Sequence, residues 1–71
     1  MVPQDEALSA LTRLMSQLGM PPTVAEYRDA LGVGSTRTAL RYLRDLETAG
    51  HIWRWPGARG IAIGARPVVR R

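Results

Sequence analysis

The 71-residue chain contains no cysteine, which excludes disulfides and thiolate metal sites outright. It has a single histidine, His51, so too few nitrogen ligands remain for a structural zinc site. Lysine is also absent, and all ten basic residues are arginine. That bias fits selection for bidentate guanidinium contacts, and equally the codon usage of a genome rich in G and C. No apolar run approaches the ~20 residues of a membrane-spanning helix. The opening MVPQDEALSA carries acids where a secretory signal carries basic residues, so a cytoplasmic location is expected. No Ser/His/Asp set or carboxylate pair can be assembled from the chain. GVGS at 32–35 lacks both the preceding strand and the following lysine of a phosphate loop. The expectation is a protein without enzymatic activity, cofactor or small-molecule substrate.

What remains is one small domain. A chain of this size buries only roughly 60% of the surface that its unfolded form exposes, so apolar packing over a thin core has to hold it. The net charge of +4 is unevenly distributed. Residues 1–36 carry two arginines against four acids, for −2, and residues 37–71 carry eight arginines against two acids, for +6. A basic half beside an acidic half predicts a polyanion-facing surface.

The hydrophobic period assigns the elements. Leu8, Leu11, Leu14, Met15 and Leu18 form one stripe on a helix over 4–18, with Pro3 suited to its first turn. Gly19 and Pro21-Pro22 stop that helix. Thr23 and Glu26 have capping-box spacing and open a second helix, about 24–31, which can bury Val24, Tyr27 and Leu31. After a short glycine turn, Ser35 caps a third helix over 36–49, with Ala39, Leu43 and Leu46 inward and Gly50 as a left-handed stop. The period then falls from 3.6 to 2. Residues 51–55 read as a strand, 56–60 as a turn and 61–63 as the return strand, with Ile52, Ile61 and Ile63 inward. The predicted class is mainly α with a small β-hairpin, a three-helix winged helix-turn-helix. Residues 1–64 form the domain and 65–71 a flexible basic tail.

With Ala39, Leu43 and Leu46 inward, the N-terminal outer face of the third helix carries Ser35, Thr36, Arg37, Thr38, Leu40 and Arg41, with Arg44 one turn on. Arginine can pair with guanine O6 and N7, threonine with several bases, and leucine with a thymine methyl. The competing reading is a merely solvated face. Thr23 and Ser35 offer helix N-termini to phosphates, although every helix needs a cap. Arg54, Arg59 and the Arg66–Arg71 tail are further candidate phosphate contacts. By strand alternation Trp53 and Trp55 share the face away from Ile52. They either fold over the core edge, contact protein, or pack on a sugar-phosphate backbone.

GMPPT at 19–23, AE at 25–26, LG at 31–32, Ser35, Ala39, Leu43, Leu46, the Gly50 and Ile52 pair, and GARGI at 57–61 together resemble the DNA-binding domain of LexA, the bacterial SOS repressor. The resemblance covers about residues 7–63. It implies a sequence-specific regulator of double-stranded operator DNA, with the helix after Ser35 as reader and the wing for backbone contact and dimer contact near the dyad. Ser35, Arg37, Thr38, Leu40 and Arg41 occupy places where the family contacts bases or phosphates. Arg37, Leu40 and Arg41 replace uncharged or acidic residues there, so a different operator is expected. LexA-type repressors also carry a self-cleaving, dimer-forming second domain, so a stand-alone reader is expected here, as in a phage or mobile element acting in a bacterial cytoplasm. Pairing on DNA through Trp53 and Trp55 is the expected substitute. The alternative is a winged helix that binds protein through the same tryptophans, as an antirepressor or inhibitor of a host regulator.

Overall fold

A computed structural model describes residues 2–65; Met1 and the predicted Arg66–Arg71 contacts lie outside the described residues, as does nearly all of the predicted tail. Three helices are followed by a hairpin: α1 (Gln4–Leu18), α2 (Val24–Leu31), α3 (Thr36–Thr48), β1 (Ile52–Arg54) and β2 (Ile61–Ile63). The fold is a winged helix-turn-helix.

Each helix boundary has a visible cause. Pro3 is the N-cap of α1 and not its first helical residue; its backbone is extended, and its carbonyl accepts from the Ala7 N–H at 2.9 Å. Gly19 closes α1 at φ 69°, a left-handed conformation that glycine adopts without a Cβ penalty. The capping box is complete: the Glu26 N–H donates to the Thr23 hydroxyl at 3.2 Å, and the Thr23 N–H donates to Glu26 Oε1 at 2.7 Å. The Ser35 hydroxyl accepts from the Thr38 N–H at 3.1 Å and so starts α3. α3 ends one residue before the predicted limit. Gly50, at φ 83°, donates to the Glu47 carbonyl while His51 donates to that of Leu46, both at 3.0 Å. This pair of bonds is a Schellman motif, and it turns the chain directly into β1.

The core consists of Ala7 and Leu11 from α1, Tyr27 from α2, Ala39, Leu43 and Leu46 from α3, and Ile52 and Ile61 from the hairpin. α3 lies at its centre and packs against α1, α2 and β1. Two predicted inward residues are not inward. Leu18, in the last turn of α1, is 36% exposed, and Ile63 is 43% exposed. Ile63 pairs with Ile52, which lies in the core, but is itself left exposed on the second strand of a two-stranded sheet. The strands are also shorter than 51–55 predicted: His51 belongs to the turn out of α3, and Trp55 to the wing turn. Ala7 is a core residue that the leucine-based stripe leaves out.

Candidate nucleic-acid interface

The outer face of α3 is positioned by its inner face. Ala39, Leu43 and Leu46 are wholly buried, which locks the rotation of the helix about its own axis. Thr36, Arg37, Thr38, Leu40, Arg41 and Arg44 are thereby gathered around one shallow concavity. Thr36, Arg37, Arg41 and Arg44 are exposed, and Thr38 and Leu40 are half-buried. The Ser35 and Thr38 hydroxyls lie 3.0 Å apart, a polar pair at the helix start beside the concavity.

The arginines divide into two groups. Among the described residues, the ion pairs are Arg28 with Asp29 and Arg59 with Glu26. Arg37, Arg41 and Arg44 have no carboxylate within 4.0 Å among the described residues, although Asp45 and Glu47 share their helix. Three guanidiniums therefore project from one helix face with their donors uncommitted, next to two threonines and a leucine. A guanidinium presents five N–H donors in a rigid fork suited to paired acceptors such as phosphate oxygens or the guanine major-groove edge.

The other sites predicted from sequence are placed differently. Thr23 is half-buried and occupied by its capping box, so the backbone donor at the start of α2 already holds the Glu26 carboxylate. That bond, and after it the bond from the Arg59 guanidinium, holds the Glu26 carboxyl below its ordinary value of 4.5. Arg54 lies opposite Ile61 on the inward side of the hairpin, half-buried, and its Nε is buried without a hydrogen-bond partner among the described residues. The Arg59 Nη1 donates to the Pro21 carbonyl at 2.8 Å and to Glu26 Oε1 at 2.7 Å. This long-range link is invisible in the sequence, since nothing in the spacing of residues 33 positions apart announces it.

Trp53 lies opposite Ala62, on the face away from the core. It is half-buried, whereas Trp55 is 41% exposed, and their ring centroids are 4.6 Å apart with planes inclined at 42°. The pair thus covers part of its own surface and leaves Trp55 presented at the wing.

The family model described as LexA DNA binding domain matches residues 2–60, a span that includes the helix-turn-helix, α3 and the wing turn. The chain belongs to the LexA DNA-binding domain family. Among its relatives, the LexA repressor of Methylococcus capsulatus is 42% identical over 66 residues, covering 92% of this chain and 33% of the relative. The LexA repressor of Haemophilus influenzae is 44% identical over 61 residues, covering 84% of the chain and 30% of the relative. That of Citrifermentans bemidjiense is 36% identical over the same length and shares. The chain therefore spans about a third of the length of the curated relatives it matches. The family is one of regulatory domains and not of enzymes. Among the described residues, no group of three or more His, Cys, Asp or Glu side chains is arranged to hold a metal ion, and no helix is long and apolar enough to cross a membrane.

Proposed function

We propose that this chain is a sequence-specific double-stranded DNA-binding module of a transcriptional repressor, acting in the cytoplasm, with α3 in the major groove and the wing along the backbone. The observation that carries this reading is the outer face of α3, where Arg37, Arg41 and Arg44 project beside Thr36, Thr38 and Leu40 without an ion-pair partner among the described residues. Uncommitted guanidiniums on an exposed face leave the domain with unscreened positive charge, and a duplex neutralises it by releasing condensed counterions. Base identity then follows from geometry. Arg37 and Arg41 are four residues apart on one helix face, about 6 Å along the axis. Two guanines separated by roughly two base-pair steps fit that spacing, and Leu40 between them fits a thymine methyl.

A single such module buries only ~600–1,000 Å² of protein surface on DNA, so useful affinity calls for two copies on one site. The tilted Trp53–Trp55 pair is the candidate contact between those copies, since exposed aromatics anchor interfaces. The partial exposure of Trp55 also favours a second reading, in which the wing binds a different protein.

Selection from random duplexes with the purified chain tests the proposal. The expected result is one enriched motif with guanine at two positions, duplicated as an inverted repeat, and binding that weakens steeply from low to physiological salt. No enrichment at any salt concentration sinks DNA reading and leaves the protein-binding role. Trp53→Ala/Trp55→Ala is expected to keep the half-site preference and lose cooperative occupancy of the repeat; unchanged cooperativity ends the idea of pairing through the wing.

A further inference from the structure

Ten residues of the chain carry a guanidinium, and the one at the tip of the wing is oriented unlike those of α3. Both side-chain hydrogen bonds of Arg59 leave from Nη1 and run to the helix-turn-helix, to the Pro21 carbonyl and to Glu26 Oε1. The same Oε1 accepts from the Thr23 N–H at 2.7 Å. One carboxylate oxygen therefore joins the cap of α2 to the turn of the wing.

We infer that Arg59 is a positioning residue of the nucleic-acid surface: it braces the wing against the N-terminus of α2 through Glu26 and Pro21 and does not itself grip a phosphate. This inference rests on the DNA-binding reading only for its consequence on affinity.

Three observations carry it. The hairpin is short, with three-residue strands in a two-stranded sheet, and such a ribbon is marginal on its own. One face of the ribbon is anchored in the core, by Ile52 at its base and by Ile61 where the chain leaves the wing turn, and the Schellman turn from α3 fixes its start. The wing turn before Ile61 projects beyond these anchors, and a further attachment there holds it in place. Arg59 is placed to supply one, because the turn around it is tight. Trp55 donates to the Gly60 carbonyl at 3.1 Å and Ile61 to that of Arg59 at 3.0 Å, so the direction in which Arg59 leaves the backbone is set. Finally, the bonds from Nη1 to the Pro21 carbonyl and to Glu26 leave a phosphate only Nη2 and Nε, and the Glu26 carboxylate already offsets the guanidinium charge that would attract it. Displacing Glu26 instead would uncap α2 at Thr23 and release the wing.

The experiment uses the full chain with Arg59→Ala, Glu26→Gln and the double variant, in two measurements. The first needs no DNA. Thermal midpoints of the four proteins and the fluorescence-anisotropy decay of the wing tryptophans report the brace. The expected result is non-additive midpoints, with the double variant no worse than the poorer single one, and faster wing motion in both single variants. Additive midpoints with unchanged tryptophan motion overturn the brace whether or not the chain binds DNA. The second measurement is duplex affinity against salt, taken well below every midpoint, on the motif that the wild-type chain selects. Both single variants are expected to lose about threefold to fivefold in affinity, the scale of a half-exposed ion pair, with the salt slope unchanged. If Arg59→Ala lowers the salt slope by about 1 while Glu26→Gln binds as well as wild type or better, Arg59 is a phosphate ligand and the inference is wrong. If the wild-type chain binds no duplex, the DNA reading fails separately, and the first measurement still decides the brace.

Discussion

The Tyr27 hydroxyl donates to the main-chain carbonyl of Ala7 at 2.8 Å, from the wholly buried centre of α2 to the inner face of α1. A buried phenol needs such a partner, and here the partner is a helix carbonyl from a different element. The bond sets how closely α2 approaches α1, and hence where the helix-turn-helix sits on its support.

Tyr27 makes the fold alkali-sensitive. Burial, and after it the neighbouring Tyr42, push its hydroxyl from 10.0 up to about 12. The folded state therefore favours the neutral phenol, so this contribution is fully present below pH 10 and is lost as pH rises from there through about 12. A shift of this size corresponds to on the order of 3 kcal/mol between the two protonation states. Tyr27→Phe is expected to cost about 1 kcal/mol at neutral pH through the lost hydrogen bond. It is also expected to flatten the fall in stability above pH 10. Denaturant unfolding across that pH range checks both signs.

Glu26 works in the opposite direction. Its carboxyl lies below the ordinary 4.5, first because the Thr23 N–H donates to it and then because Arg59 does. Its contribution is present above pH 4.5 and is lost as pH falls from there through the lower folded value. Glu26→Gln is expected to remove part of the acid sensitivity of the thermal midpoint while leaving the alkaline limb unchanged. An acid limb identical to wild type would show that the capping carboxylate does not contribute to pH-dependent stability.

Gly60 permits no side chain. A Cβ built there collides with the backbone carbonyl of Trp55, across the turn closed by the Trp55–Gly60 hydrogen bond. Gly60→Ala is expected to cost about 1–3 kcal/mol, the usual range for overpacking, and to disturb the Trp53–Trp55 contact. Near-ultraviolet circular dichroism of the tryptophans, measured with the unfolding curve, reads both effects. Gly57→Ala offers a contrast, because its φ of 126° makes the substitution strained although nothing lies within 4 Å. That variant is expected to lose stability without a steric effect on Trp55.

Arg41 tests the assignment of α3. Arg41→Ala is expected to weaken binding of the selected duplex by about 1–3 kcal/mol and to relax selectivity at one guanine position if the residue reads a base. If it contacts only a phosphate, the loss is uniform across sequences and the salt slope falls by about 1. Arg13→Ala, on the exposed face of α1, serves as the control and is expected to change neither. Unchanged affinity and selectivity in Arg41→Ala would remove α3 as the reading helix.

Local chemistry made most of the architecture legible in the sequence. The Thr23–Glu26 cap, Ser35, and the glycines at 19 and 50 act over a few residues, so their spacing announces the helix ends directly. The inner face of α3 was equally legible, because Ala39, Leu43 and Leu46 recur at the helical period, and whatever opposes them faces outward. Periodicity also overreached. It counted Leu18 and Ile63 as inward, yet a stripe or an alternation says which residues share a face and not whether another element covers that face.

The sequence by itself determined the elements, their caps and the composition of the outward helix face, since each depends on neighbours within about one turn or one strand pair. Tertiary structure alone decided which arginines are free. Arg59 and Arg41 are chemically identical and both follow from a basic half of the chain. Only the folding of the wing over α2 brings Glu26 and the Pro21 carbonyl to Arg59, while the rotation of α3 leaves Arg41 without an acid among the described residues. Electrostatic partnership depends on distance through space, and a one-dimensional pattern carries no such distance across 33 residues.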